Sequence, residues 1–289
     1  MKISIASKGR PLLRAFYAFL IAGAAFWAMP RIADAQLYVT QGPSGRGFVS
    51  KYDATTGELI DAKFIRDLRT PFGLEVKGNR LFVVDQVHFV GEYDATTGAA
   101  IASFVKGLGN PFASALLRDK LFVSNLGDGT GGMVLEYNLT TGGRPKLLIS
   151  TLVVPLGILV SGDKLFVADL GTSSVGEYDT TTGTAINPNF IAGLVAPSGL
   201  LLRGNELFVS DEVGRVGKYD AATGVPIDAN FITGLGSPNG IALLGDKLFV
   251  ANYSSGTVGE YDARTGVAIN ASFVKGLTEP VGLAVKSSK

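Results

Sequence analysis

The chain has 289 residues, 46% of them hydrophobic, with 38 glycines, 12 prolines and no cysteine. The lack of cysteine excludes disulfides and thiol chemistry, and a single histidine excludes any site that needs two imidazoles from one chain. A formal net charge of +1 lacks the basic excess that nucleic-acid binding requires. The composition therefore indicates a turn-rich globular protein without a nucleic-acid partner.

The first 35 residues differ from the rest of the chain. Four basic residues precede an uncharged apolar run of 15 residues, Ala15 to Met29, and Ala33-Asp34-Ala35 has the small-x-small form that a signal peptidase recognises. We interpret residues 1–35 as a secretory signal peptide and 36–289 as one domain that is secreted or periplasmic. The run is shorter than the ~20 residues of a spanning helix, although an uncleaved anchor is the alternative. After cleavage we expect no membrane span and a formal charge of −3.

The remaining chain repeats one unit six times. A block of the form Leu-Phe-Val-x-Asp/Asn begins at Leu81, Leu121, Leu165, Leu207 and Leu248, and a variant of it, Leu-Tyr-Val-Thr-Gln, begins at Leu37. The spacings of 44, 40, 44, 42 and 41 residues are typical of solenoids and propellers. Within the unit that starts at Pro197, four short apolar runs are separated by Gly, Asp and Asn turns, which predicts four antiparallel strands, A to D.

The register of the repeats predicts a closed ring. The first unit begins at strand B with Leu37 and lacks a strand A, whereas the chain ends with a spare one, Pro280 to Val285. Prolines at the start of strand D place that strand at the outer edge of each sheet; they are Pro145, Pro188 and Pro226. The sequence therefore predicts an all-β, six-bladed β-propeller of four-stranded antiparallel blades, in which the N- and C-terminal strands share one blade.

The repeated motifs also resemble a known family. Pro-x-Gly-Leu, Leu-Phe-Val-x-Asp and Val-Gly-x-Tyr-Asp, over residues 37–286, resemble the NHL-type six-bladed β-propellers. The Tyr-Asp-Ala-Thr-Thr-Gly segments resemble repeats of exported bacterial proteins with no assigned activity. This resemblance implies the fold, but it specifies no reaction.

Many repeated residues have a structural explanation. Each C–D turn opens with Asp or Asn and closes with Gly, as in Asp220 to Gly224. We interpret these residues as turn formers rather than calcium ligands, because calcium needs several oxygens at one point. The tyrosines of strand C and the phenylalanines of strand D, such as Tyr219 and Phe231, are expected to pack between blades.

The variable B–C loops predict that binding occurs on the face where the B–C and D–A loops emerge. Two rings of residues are expected around the channel mouth there. The first follows the strand A proline and consists of Phe72, Phe112, Leu156, Ser198, Asn239 and Val281. The second closes strand B and consists of Gln41, Asp85, Asn125, Asp169, Asp211 and Asn252.

These two rings are compatible with a small polar ligand, a cation or a peptide loop. For the second ring, the favoured interpretation is that each Asp or Asn caps the loop that follows it. The apolar cluster Phe72, Phe112 and Leu156 indicates a contact surface.

Two titratable residues stand apart from the rings. His88 lies in the second B–C loop near Asp85. Such a pair can act as a general base, but no nucleophile can be placed beside it, so a surface histidine within the expected binding face is favoured. Glu75 is the only acid within a strand A core segment and can face the channel. One acid makes neither a metal site nor an acid–base pair.

We expect an exported, non-catalytic binding or interaction scaffold, monomeric and without a cofactor, that binds a protein, peptide or small polar ligand on the B–C/D–A face. The alternative is a divalent-metal-dependent hydrolase or lactonase, because the predicted fold is similar to that of the gluconolactonase-like six-bladed group, which holds one divalent ion, such as Ca²⁺, at the channel. The oxygen donors available for it are Asp85, Asn125, Asp169, Asp211 and Asn252. The chain departs from that group because no Glu occupies the strand A entrance position.

Overall fold

The computed structural model describes residues 35–287, apart from 43–44, 88, 128, 130 and 141–143, and only the backbone of 102–104. The described residues belong to one compact unit, Ala33–Lys289. The signal peptide predicted at 1–35 lies outside the described residues, apart from Ala35. Among the residues described, no helix is long and apolar enough to cross a membrane.

The described residues form six antiparallel sheets of four strands each, with the inner strand A first and the outer strand D last. Blade 1 contains β1 (Gln36–Gln41), β2 (Gly47–Asp53), β3 (Leu59–Leu68) and, as its inner strand, β24 (Leu283–Lys286). Blade 2 contains β4 (Pro71–Lys77), β5 (Arg80–Asp85), β6 (Phe89–Asp94) and β7 (Ala100–Lys106). Blade 3 contains β8 (Pro111–Leu117), β9 (Lys120–Asn125), β10 (Gly132–Asn138) and β11 (Lys146–Leu152).

The second half of the chain repeats this order. Blade 4 contains β12 (Pro155–Ser161), β13 (Lys164–Asp169), β14 (Ser174–Asp179) and β15 (Ala185–Ala192). Blade 5 contains β16 (Pro197–Arg203), β17 (Glu206–Asp211), β18 (Arg215–Asp220) and β19 (Pro226–Thr233). Blade 6 contains β20 (Pro238–Leu244), β21 (Lys247–Asn252), β22 (Thr257–Asp262) and β23 (Ala268–Val274).

The two ends of the described chain close the ring. Strand β24 pairs antiparallel with β1, so that Tyr38 lies opposite Ala284 and Val39 lies opposite Leu283. The inner strands contact one another in the cycle β24, β4, β8, β12, β16, β20 and back to β24. Closure leaves only short, protected inner sheet edges around the channel. The predicted six-bladed propeller, with its shared first blade, is therefore confirmed.

The core consists of six hydrophobic clusters, each lying between two neighbouring blades. Between blades 5 and 6, Phe208 and Phe231 of blade 5 pack against Ile241, Leu248 and Tyr261 of blade 6, and the two phenylalanine rings are 5.5 Å apart. These buried aromatic rings join neighbouring sheets, as the sequence predicts, and are not available for ligand stacking.

The hydrogen bonds of the C–D turn explain why its sequence repeats from blade to blade. Asp220 Oδ1 accepts hydrogen bonds from the backbone N–H groups of Ala222 (3.0 Å) and Thr223 (2.8 Å). Gly224 closes the turn with a φ of +73°, a backbone conformation that favours glycine. Asp53, Asp94, Asp179 and Asp262 accept the same pair of bonds in other blades. These aspartates are turn formers.

Candidate functional site

All six residues that follow the strand A proline lie around one end of the central channel. Five of them line the channel itself, whose volume is about 100 Å³; they are Phe72, Phe112, Ser198, Asn239 and Val281. The channel opens into a wider hollow of about 530 Å³ on the B–C/D–A face, which we call the mouth. The mouth is lined by Thr70, Phe72, Gln86, Phe112, Leu156, Leu170, Glu212, Ser237, Asn239, Tyr253 and Ser254.

The entrance to the channel is apolar on one side and polar on the other. Phe72 and Phe112, from blades 2 and 3, are half-buried, and their ring centroids lie 4.6 Å apart. In blades 5 and 6, across the ring, Ser198 Oγ donates a hydrogen bond to Asn239 Oδ1 at 2.5 Å. Leu156 is buried, with 6% of its surface exposed, so the accessible apolar surface expected of this cluster comes mainly from the two phenylalanines.

The aspartates that close strand B have a structural role. The buried Asp169 carboxylate accepts hydrogen bonds from the backbone N–H groups of Val153 (2.9 Å), Val154 (2.8 Å) and Gly171 (3.0 Å). Two of these amides belong to the D–A loop before the blade and one to the B–C loop after the aspartate. The capping interpretation is thus confirmed, with the correction that the main loop held is the preceding one.

Three other members of this second ring, Asp85, Asp211 and Gln41, also accept hydrogen bonds from loop amides. Asp85 accepts bonds from the amides of Arg69 (2.7 Å), Thr70 (3.1 Å) and Val87 (3.0 Å). Asp211 accepts them from Val195, Ala196 and Val213, and also from the Arg215 side chain. Gln41 Oε1 accepts a bond from the Thr278 amide at 2.9 Å.

The second ring does not form the cation site of the alternative hypothesis. Asn125 and Asn252 are each buried, and their Oδ1 atoms have no hydrogen-bond partner among the described residues. The three carboxylates are occupied by backbone N–H donors, so their oxygens do not converge on one point. In the part of the chain that the structure describes, no group of three or more His, Cys, Asp or Glu side chains is placed to hold a metal ion. These residues therefore do not fit a divalent ion, and His88 lies outside the described residues.

The mouth includes a ring that the sequence analysis missed, namely the residue directly after each strand B terminus. Gln86, Leu170, Glu212 and Tyr253 line the mouth from this position. Their backbone N–H groups donate to the D–A loop, as in Leu170 to the Val154 carbonyl at 3.0 Å. Because side chains alternate along an extended chain, the aspartate faces the loop amides and the next side chain faces the mouth. The variation at this position in the sequence was the signal that could have identified it.

Charge is sparse in this site. Among the described residues, Glu212 is the only charged side chain that lines the mouth. Tyr253 also lines it, and burial, together with the nearby Glu279 carboxylate, raises the pKa of its hydroxyl. Deeper in the channel Glu75 lines the cavity, and burial raises the pKa of its carboxyl to about 8. The site is therefore a weakly acidic, half-apolar funnel.

Comparison with solved structures supports the fold. One chain in the crystal structure of a nidogen/laminin complex matches with a TM-score of 0.73 at 17% identity, covering 88% of this chain and 99% of that one. The computationally designed protein Ika8 matches with a TM-score of 0.52 at 15% identity, covering 86% of this chain and 74% of that one. At these identities the similarity shows the fold alone.

Comparison of sequences shows the family. None of the curated proteins compared with the chain matches it. The family model PQQ_2, described as outer membrane protein assembly factor BamB, matches residues 23–271. The propeller implied by the NHL resemblance is confirmed by the structure, while the NHL assignment itself stays a prediction. Because the match covers most of its 289 residues, the chain belongs to the PQQ_2 family of outer membrane protein assembly factor BamB.

Proposed function

We propose that this protein is an exported, non-catalytic binding protein that holds a segment of a partner protein in the mouth of its channel. The observation that carries the proposal is the mouth itself, a hollow of about 530 Å³ with the Phe72–Phe112 pair at its base. Concave sites with an apolar wall and a few polar groups are the usual form of binding pockets. A peptide segment with one apolar side chain matches this arrangement.

The distribution of sequence variation supports the choice of site. The turns and inter-blade aromatics repeat from blade to blade, because every blade needs the same packing. By contrast, the positions that line the mouth differ between blades. The position directly after strand B carries Gln86, Leu170, Glu212 or Tyr253, and the position after the strand A proline carries phenylalanine, leucine or asparagine. Variable residues held on a rigid scaffold are typical of a recognition surface.

The chemistry of the site favours binding over catalysis. The strand B carboxylates hold backbone amides, and Ser198 is paired with Asn239. None of these groups is arranged as a nucleophile beside a base, the geometry that covalent catalysis needs. The metal-dependent hydrolase remains the alternative to be tested, and no observation on the described residues favours it.

The family supports an exported protein partner. The family description names an outer membrane protein assembly factor, which agrees with a periplasmic or secreted location and with the signal peptide proposed at 1–35. We also propose that the protein is monomeric and that its repeats are of the NHL type. A propeller that meets its partner through one face needs no second copy to complete that face.

Site-specific photo-crosslinking in the native cell tests the proposal. A crosslinking amino acid replaces Gln86 at the mouth in one variant and Thr181, in a C–D turn on the opposite face, in the control. We expect Gln86 to yield a discrete protein adduct that Thr181 does not, with the adduct mapped to one segment of the partner. Equal labelling from both positions, or no adduct from the mouth, would count against this site.

A further inference from the structure

One of the six inter-blade interfaces differs at its channel end. In five interfaces, two aliphatic residues from neighbouring inner strands meet there: Ala115 with Ile158, Leu159 with Leu200, Leu201 with Ile241, Ala242 with Leu283, and Ala284 with Leu74. The strand register places Glu75 and Ser114 in the same two positions between blades 2 and 3. Glu75 is equivalent to Ala115, because each lies opposite the phenylalanine of its strand B, Phe82 or Phe122. Ser114 is equivalent to Ile158, because each lies opposite the valine of its strand B, Val123 or Val167.

Both polar side chains face the channel without a partner. Glu75 and Ser114 line the same cavity of about 100 Å³. Ser114 is buried, with 4% of its surface exposed, and its Oγ has no hydrogen-bond partner in the described structure. Among the described residues, no side chain or backbone group is hydrogen-bonded to or paired with the Glu75 carboxyl. Buried polar groups are normally paired, so an unpaired carboxyl beside an unpaired hydroxyl indicates that a ligand completes them.

We propose that Glu75 and Ser114 bind a positively charged organic group, an ammonium or guanidinium, at the tip of a slender chain that enters the channel through the mouth. This inference rests on the proposed function, since it gives the bound segment a chemistry: a lysine or arginine side chain or an N-terminal amine. Strand β4 rises about 3.3 Å per residue, so Glu75 lies roughly 10 Å below Phe72. A lysine or arginine side chain that enters past Phe72 and Phe112 contacts this pair with its apolar stem and extends its charge toward the Glu75 carboxylate.

An inorganic cation fits the pair less well. Calcium takes six to eight oxygen ligands, whereas the channel supplies one carboxylate and one hydroxyl among its lining side chains, apart from Ser198 and Asn239, which bond each other. An ammonium group donates three hydrogen bonds and a guanidinium five. The two oxygens of the Glu75 carboxylate and the Ser114 hydroxyl provide three acceptor atoms for such donors.

No other charge substitutes for the ligand. Burial is the only cause of the raised pKa of Glu75, so none of the charged groups on the strands packed against β4 compensates its carboxylate. Those groups are Arg80 and Asp85 on β5, Lys51 and Asp53 on β2, and Lys286 on β24, while Tyr38 is the titratable residue of β1 and β8 has none. Arg80 is paired with Glu92 at 2.5 Å, and Lys286 Nζ with Asn79 Oδ1 at 2.6 Å.

A titration of the purified protein by n-hexylammonium chloride, followed by amide chemical shifts in NMR spectra, tests the inference. 1-Hexanol is the neutral matched probe, and potassium and calcium chloride are the inorganic arms. Glu75→Gln removes the charge while keeping the shape, and Glu58→Gln, at an exposed position in a C–D turn on the opposite face, is the matched control. Hexylammonium stays charged below pH 9, like a lysine side chain.

We expect hexylammonium to shift the amides of β4 and β8 and to bind at least tenfold more tightly than hexanol at pH 8.5. Glu75→Gln abolishes that advantage, and Glu58→Gln retains it. The dissociation constant rises about tenfold for each pH unit below 8, because only the ionised carboxyl binds the cation, and it is independent of pH in Glu75→Gln.

Three results would overturn the inference. Equal affinity for hexylammonium and hexanol in the unmodified protein is one, and an unchanged hexylammonium affinity in Glu75→Gln is another. The third is saturation of the same amides by potassium or calcium alone, which would make the pair an inorganic cation site. If hexanol binds at Phe72 and Phe112 in any of these cases, the mouth is still a binding site. The inference about Glu75 and Ser114 is then refuted without refuting the proposed function.

Discussion

Replacing Asp169 by alanine should destabilise the fold because this buried carboxylate accepts three part-buried hydrogen bonds from backbone amides. Its oxygens lie 2.8, 2.9 and 3.0 Å from those nitrogens, and alanine leaves all three unpaired. A buried donor without a partner costs about 1–3 kcal/mol, so we expect a loss of roughly 3–6 kcal/mol, after some relief by water. That is a large part of the ~5–15 kcal/mol stability of an ordinary domain.

Urea denaturation followed by circular dichroism measures this loss, with the slope of the transition unchanged. Asp169→Asn keeps one acceptor oxygen, so this variant should lose less stability than Asp169→Ala. Asp179→Ala, in an exposed C–D turn, is the control and should also lose less. If Asp169→Ala unfolds at the same urea concentration as the unmodified protein, the carboxylate does not hold the loops as argued.

Three further predictions concern Glu75, ring closure and metal ions. The fold should become less stable as pH rises from about 4.5 to about 8, because the folded pKa of Glu75, about 8, exceeds its unfolded value and the folded state binds more protons in that window. Glu75→Gln should therefore be more stable than the unmodified protein at pH 8.5 and equal to it at pH 4. Equal stabilities at both pH values would refute the burial argument. Removal of residues 283–289 deletes β24 and leaves β1 unpaired on its inner side, so thermal unfolding should occur many degrees lower, and an unchanged melting temperature would contradict closure by the two termini. Melting with EDTA or with added Ca²⁺, Mg²⁺, Mn²⁺ or Zn²⁺ should leave the midpoint unchanged, whereas a concentration-dependent rise that Asp169→Ala abolishes would favour the metal-dependent hydrolase.

The architecture was predictable because it depends on periodicity. The offset between Leu37, which starts on strand B, and the spare strand near Leu283 predicts the shared blade, and β1 pairs with β24 as expected. The same periodicity predicts that the residues after the strand A proline surround the channel, since equivalent positions in a ring lie at one height. The sequence leaves open whether Glu75 faces the channel, and the structure places it at the channel wall.

The details of the site were not predictable, because they depend on where each side chain turns at the end of a strand. Asp85 and Asp169 were expected at the channel mouth, but their carboxylates face loop amides, and Gln86 and Leu170 face the mouth instead. Ser114 was not recognised at all, because a single serine within an apolar strand carries no signal until the facing strand is known. The polar pair emerges only when the six interfaces are compared.

The most direct test of the binding mouth is an equilibrium affinity. The partner segment recovered by crosslinking from Gln86 is titrated into the unmodified protein, into Phe72→Ala, and into Ile227→Ala, a control that truncates an exposed side chain on the outer strand of blade 5. We expect Phe72→Ala to weaken binding at least tenfold, about 1.4 kcal/mol, and Ile227→Ala to leave it unchanged. Equal affinity of the unmodified protein and Phe72→Ala would contradict the account.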